Sequence, residues 1–143
     1  MNILFLEGPN LNLLGLKSSK VNGVRLTLDK LNKHIRRHVR NTNHNLKIFQ
    51  THKQFQAINY LQRNRKWSDG NIIIPTTWSI CDWTIAETIK ILETPTVTVF
   101  FNDPFDLGGK KSVSIIKSKN VTSLKGSPLD VCTEALNVLI NKK

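Results

Sequence analysis

"NILFLEGPNLNLLG", residues 2–15, decides the fold. Its first six residues form a continuous apolar run, the pattern of a strand buried on both faces of a sheet. The eight that follow are too specific to be an ordinary turn and too apolar to be an ordinary phosphate loop. Beyond the loop, "TLDKLNKHIRRHVRN" (27–41) spaces Leu28, Leu31, Ile35 and Val39 along one helix face, with Thr27 placed as N-cap. Lys30, Lys33, Arg37 and Arg40 fall on the opposite face of that helix. A strand, a loop and a helix in this order begin a β-α-β unit.

The rest of the chain keeps the alternation. "LKIFQ" (46–50) reads as a strand, and "QFQAINYLQRN" (54–64) as a helix that turns Phe55, Ile58 and Leu61 inward. "NIIIP" (71–75) is a short buried strand that stops at proline. "CDWTIAETIKILE" (81–93) reads as a helix facing in through Trp83 or Thr84, then Ile85, Ile89 and Leu92. "TVTVFF" (96–101) is a strand, and "NDPFDLGGKK" (102–111) a loop marked by Pro, Gly and Asp. "NVTSL" (120–124) gives a last strand, and "SPLDVCTEALNVLI" (127–140) a last helix with Ser127 as N-cap and Pro128 at its first position. The prediction is an α/β fold over residues 1–143 as one domain: a flavodoxin-like, doubly wound, five-stranded parallel sheet with helices on both faces. Ligands of such sheets bind outside the carboxyl ends of the strands. Residues 8–24, 75–80 and 102–111 are expected there.

The formal charge of +11 is one-sided. Residues 1–66 hold 13 Lys/Arg against 2 acids, whereas residues 67–143 hold 8 against 8. Such a field attracts polyanions, RNA foremost, and Lys30, Lys33, Arg36, Arg37 and Arg40 are the residues expected to meet one. The plainer alternative is a solvated basic surface on a small enzyme. No apolar run approaches the roughly 18 residues that span a bilayer, so no membrane association is expected. The start carries no secretory or transit pattern, so the expectation is a protein that is not secreted, either made where it works or already freed of a leader. Abundant Asn, Lys and Ile are associated with AT-rich genomes, so the expected compartment is the cytoplasm or the interior of a mitochondrion or plastid that encodes the chain. Cys81 and Cys132 are isolated and predict neither a disulfide nor a metal site.

The opening motif resembles the N-terminal signature of type II 3-dehydroquinate dehydratase. "IFQTHKQ…AINYLQ", "DGNIIIP" and "ILETPTVTVFF" resemble that family's second strand and following helix, its third strand, and the run into its substrate loop. The resemblance implies the flavodoxin-like fold, homo-oligomers (commonly trimers gathered into dodecamers) and dehydration of 3-dehydroquinate without cofactor or metal. It also implies a lid tyrosine as base, with an arginine beside it. A histidine acts as acid, and an asparagine holds the water that stabilises the enolate. A second histidine, a serine and arginines grip the substrate.

Carried over residue by residue, few of these groups remain. Asn10 matches the family's loop asparagine. Lys17 stands at the lid arginine and Asn22 at the lid tyrosine; an amide cannot serve as a phenolate base. Ile74 replaces the water-holding asparagine, Thr76 and Thr77 two glycines, and Ile80 the substrate-binding histidine. Phe100 replaces the acid-bearing histidine and Thr98 its neighbouring glutamate. Asn102 stands for the substrate-gripping serine, and Leu107 and Lys111 for the two arginines of the last loop. Asn10, Lys17, Asn102 and Lys111 are thus the residual pocket, and no catalytic group is expected at Asn22, Ile74, Ile80 or Phe100. Each general acid–base step contributes roughly 10²–10⁴-fold, so turnover should be largely lost.

Other constellations are weaker. His34 and His38 are four apart on one helix, as a metal pair would be, but lack an acidic or thiol companion. His44 follows the same helix. His52 can approach the old pocket but has no partner. Asp103 and Asp106 read as turn residues. Gly108-Gly109-Lys110-Lys111 lacks the spacing of a phosphate loop. Trp83 reads as core, and Trp78 as a candidate partner contact. The expectation is an inactive dehydroquinase-like chain reused as a basic subunit, in company with other proteins and RNA, as in an organellar ribosome-like assembly. The alternatives are an active dehydratase with a rebuilt site and a protein–protein module without RNA.

Overall fold

The computed structural model describes the backbone of residues 1–22 and 25–141. Five parallel strands, β1 (Asn2–Glu7), β2 (Asn45–Gln50), β3 (Gly70–Ile74), β4 (Thr96–Phe101) and β5 (Val121–Gly126), lie in the order β2-β1-β3-β4-β5. This is the flavodoxin-like order, with its switch point between β1 and β3. β1 is central because its apolar run can be buried on both faces: it pairs Ile3 with Leu46 on one side and with Gly70 on the other. β3 and β4 are buried throughout, while the edge strands β2 and β5 are only partly covered.

The pleat of β1 divides the core. Ile3 and Phe5 face a layer made by α2 (Leu28–Val39) and α6 (Pro128–Asn141), where Leu31, Ile35, Val131, Ala135 and Leu136 are buried. Leu4 and Leu6 face a second layer, α3 (Gln54–Arg63) and α5 (Trp83–Leu92), through Ala57, Leu61, Ile85 and Ile89. The caps follow the sequence. Thr27 accepts a hydrogen bond from the Lys30 amide at 3.2 Å, and Pro128 opens α6.

The structure departs from expectation in three places. Residues 14–22, predicted as loop, form helix α1 (Leu14–Asn22) after a 3₁₀ turn at Leu11–Leu13. Leu11 and Leu14 anchor this segment in the core, and Ser18 Oγ joins it to Leu26 by accepting from its amide and donating to its carbonyl. The helix predicted from residue 81 starts at Trp83, because Asp82 caps it by accepting from Ile85 N at 3.0 Å. A separate one-turn helix, α4 (Trp78–Cys81), precedes it. The break reverses the two tryptophans: Trp78 is buried at the base of α4, and Trp83, expected in the core, is 70% exposed. Phe55, also expected inward, is exposed in the first turn of α3, where Ala57 and Leu61 take the buried face.

Candidate functional site

The carboxyl end of the sheet is organised by the loop after β1. Gly8 donates its amide to the Ile74 carbonyl at 2.8 Å. A Cβ there would stand 2.7 Å from that oxygen and 2.8 Å from the Pro75 carbonyl, so only glycine lets the two chain segments meet. Asn10 then adopts a left-handed conformation (φ 70°), and Leu13 N closes the turn on the Asn10 carbonyl. Thr76 donates to the Pro9 carbonyl at 3.0 Å, and Gln50 Nε2 to Gly8 at 3.1 Å. His52 joins this loop, its Nδ1 lying 3.4 Å from the Asn10 amide. Thr76 itself holds φ 49°, which suits a glycine far better than a β-branched residue.

Beside this frame, the expected site positions are dispersed. Ile74 and Phe100, at the ends of β3 and β4, are buried. Together with Thr76, Val99, Phe101, Leu107 and Gly109 they line a cavity of about 10 Å³. That is room for one water at most, whereas small-molecule sites usually measure about 300–1,000 Å³. Loop 102–111 closes over it: a Cβ on Gly109 would collide with the Thr76 carbonyl and stand 2.7 Å from Ser79 Oγ. Thr98 Oγ1 is 2.7 Å from Ser123 Oγ. Ile80, expected to line the pocket, is 47% exposed on α4, so the apolar lining comes from Ile74 and Phe100 without it. Asn10, Asn102 and Lys111 are all exposed. Lys17 hydrogen-bonds the Asp106 carbonyl and pairs with its carboxylate at 3.3 Å, so its charge holds α1 to loop 102–111. Slight burial would raise the Asp106 carboxyl, but Lys17 and Asp103 together hold it below the ordinary value. The Asn22 side chain lies outside the described residues.

A wider basin of about 620 Å³ adjoins the small cavity, shares Phe100, Phe101 and Gly109 with it, and extends toward β5. Lys110, Lys111, Lys117 and Lys125 line it, with Asp103 and Asp106.

Glu7, the last residue of β1, was missed in the sequence, although an acid closing an apolar run is a signal. It is completely buried, and neither carboxylate oxygen has a hydrogen-bond partner within range. Burial pushes its pKa up to about 8; the nearby Asn32 amide and Arg36 charge offset this only partly. Asn32 Oδ1 is likewise buried without a partner, the complement of a protonated acid. The negative end of Glu7 and its own burial push the neighbouring Cys132 thiol far above its usual value, burial being the larger cause.

The basic face also resolves into parts. Lys30, Lys33 and Arg37 line a groove of about 590 Å³ between α2 and the start of α6. Arg25 and His34, not singled out as ligands of an anion by the sequence, complete that wall. Of the five expected residues, Arg36 and Arg40 are not in the groove: Arg36 stands near Glu7, and Arg40 follows the end of α2. His34 and His38 go separate ways, since His38 Nε2 lies 2.8 Å from Asn137 Oδ1. Among the described residues, no three His, Cys, Asp or Glu side chains gather as metal ligands. No helix among them is long and apolar enough to cross a membrane.

Comparison with known proteins agrees with this architecture. The chain is 29% identical over 124 residues to the 3-dehydroquinate dehydratase of Clostridium botulinum strain Hall, covering 85% of this chain and 84% of that one. It is 26% identical over 139 residues to the enzyme of the same name from Halothermothrix orenii, covering 97% and 93%. The crystal structure of type II dehydroquinase from Butyrivibrio crossotus has the same fold, with a TM-score of 0.84 at 19% identity over 99% of this chain and 98% of that one. The family model for class II dehydroquinases matches residues 1–140, and the chain is a member of that family.

Proposed function

We propose that this chain is a class II dehydroquinase-fold subunit that has lost proton-transfer chemistry and serves as a basic binding component of an RNA-containing assembly. One observation carries the reading: Ile74 and Phe100, which by resemblance stand at the family's water-holding amide and acid, line a cavity of only about 10 Å³. A hydroxyl-rich, anionic ring would lose its hydrogen bonds to water there without replacement. Three further features support the reading. Lys17 is engaged with Asp106. The net positive charge comes entirely from residues 1–66. Exposed Ile80, Trp83 and Ile91 along α4 and α5 offer an apolar surface to another subunit, whether a copy of this chain or a different protein.

The test is conversion of 3-dehydroquinate to dehydroshikimate by the pure protein at high concentration. Turnover should fall at least about 10⁴-fold below an ordinary enzyme rate of about 10 per second, since two or more acid–base groups are replaced. Association with RNA should weaken steeply with salt, and exchanging Lys30, Lys33 and Arg37 for Ala should lower that slope by about 3. Ordinary enzymatic turnover refutes the loss of chemistry, and a salt-independent RNA affinity refutes the binding role.

A second reading, an active dehydratase with a rebuilt site, is favoured by the lysine-lined basin beside Phe100 and by the names of the curated relatives. It predicts measurable dehydration that Lys111→Ala abolishes.

A further inference from the structure

We propose that the groove between α2 and the start of α6 binds a nucleotide monophosphate unit, free or as part of an RNA strand. The proposal rests on the reading of α2 as a polyanion-binding face and adds to it a place and a ligand class. The groove has a volume of about 590 Å³, within the usual range for a small molecule and far beyond a bare phosphate. Its two sides differ in chemistry. Arg25, Lys30, Lys33 and Arg37 supply cations along one wall. Leu26, Phe105 and Leu129, half-buried and packed on the α2–α6 core, supply an apolar floor.

The cations are not equally free. Lys33 Nζ is 3.1 Å from Asp29, and Lys30 Nζ donates to the Arg25 carbonyl at 2.8 Å. Among the described residues, neither Arg25 nor Arg37 lies within ion-pair distance of a carboxylate. Two planar guanidiniums without an acidic partner match a phosphate, which accepts bidentate hydrogen bonds from them. The amino end of α6 opens on the same space and adds a positive field, against which Asp130 sets one negative charge. Asp130 accepts from Ser127 Oγ at 3.0 Å and retains acceptor capacity toward a ribose hydroxyl or a base amine. A base on Phe105 and a phosphate on the arginines would use the wall and the floor together.

The experiment titrates the full chain with adenosine 5′-monophosphate, uridine 5′-monophosphate, inorganic phosphate and a short single-stranded RNA, by calorimetry and amide chemical shifts. Arg25→Ala with Arg37→Ala removes two groove charges. Arg36→Ala with Arg40→Ala removes two charges outside it. The groove pair should weaken mononucleotide binding at least about tenfold and the outside pair less than about twofold. Shifts on the unmodified protein should centre on Leu26, Phe105 and Leu129, a readout that does not depend on either variant folding. Equal losses in the two pairs overturn the groove. So does inorganic phosphate competing as well as the nucleotides, or shifts that miss the floor. Mononucleotide binding in the groove together with no RNA binding supports the site while refuting the RNA-assembly reading. RNA binding without any mononucleotide response does the reverse.

Discussion

Two regions at the same end of the sheet are held together in different ways. The segment after β1 runs from Gly8 to Gly15, while the ends of β3 and β4 carry the buried apolar side chains of Ile74 and Phe100. The first region is fixed by backbone. Gly8 lies against the carbonyls of Ile74 and Pro75, and the turn at Asn10 is left-handed. The second is filled by side chains, Ile74, Val99, Phe100 and Phe101 among them. On the proposed reading, geometry that the fold itself needs outlasts a reaction, whereas groups needed only by the reaction do not.

That contrast can be broken by measurement. Gly8→Ala should cause the largest loss, about 3 kcal/mol in urea unfolding, because the new methyl has no room against backbone atoms. A neutral result would show that the loop is retained for another reason. Glu7, at the join of the two regions, gives a pH-dependent test. Its folded-state pKa of about 8 lies above the ordinary 4.5, so the folded state binds the extra proton. The associated stability is full below about pH 4.5 and is lost as pH rises toward 8, at up to about 1.4 kcal/mol per pH unit. Glu7→Gln should flatten this slope and be more stable than the parent near pH 8. A parallel slope in the variant would remove Glu7 as its source. Ile74→Val, a change among the packed side chains of the second region, should cost about 1 kcal/mol. The smallest effect is expected at Thr76→Gly. Relief of the left-handed backbone is worth about 1–2 kcal/mol. Loss of the hydrogen bond to Pro9 and of a stiffer unfolded chain offsets most of it, leaving a change within about 1 kcal/mol.

The element order, strand order and buried stripe of α2 were legible because apolar runs and helical spacing report the core directly. Helix α1 was not, since "LGLKSSKVN" has little periodicity and is held by Leu14 and the Ser18 bonds to backbone beyond the helix. The tryptophans were misplaced through one residue, Asp82, whose cap restarts the helix and shifts the inward face. It also accepts from Gln54 at 2.6 Å, a tertiary contact that no local pattern shows. At the candidate site, the resemblance pointed to positions one by one, but the small size of the space between them was not legible. That depends on Gly109 settling on Thr76, two segments far apart in the chain. The groove was half visible: Lys30, Lys33 and Arg37 share a helix face, whereas Phe105 and Leu129 reach it only through the fold.

The place of β2 at the sheet's edge gives the charge imbalance a direction. Residues 1–66 build the flank of β1 and β2 with α2 and α3, and the electrically balanced remainder builds the flank of β4 and β5. The molecule is therefore polarised across its width. In the field of an anionic body it would rotate before touching, presenting its β2 flank first, so orientation would be selected during approach rather than after collision.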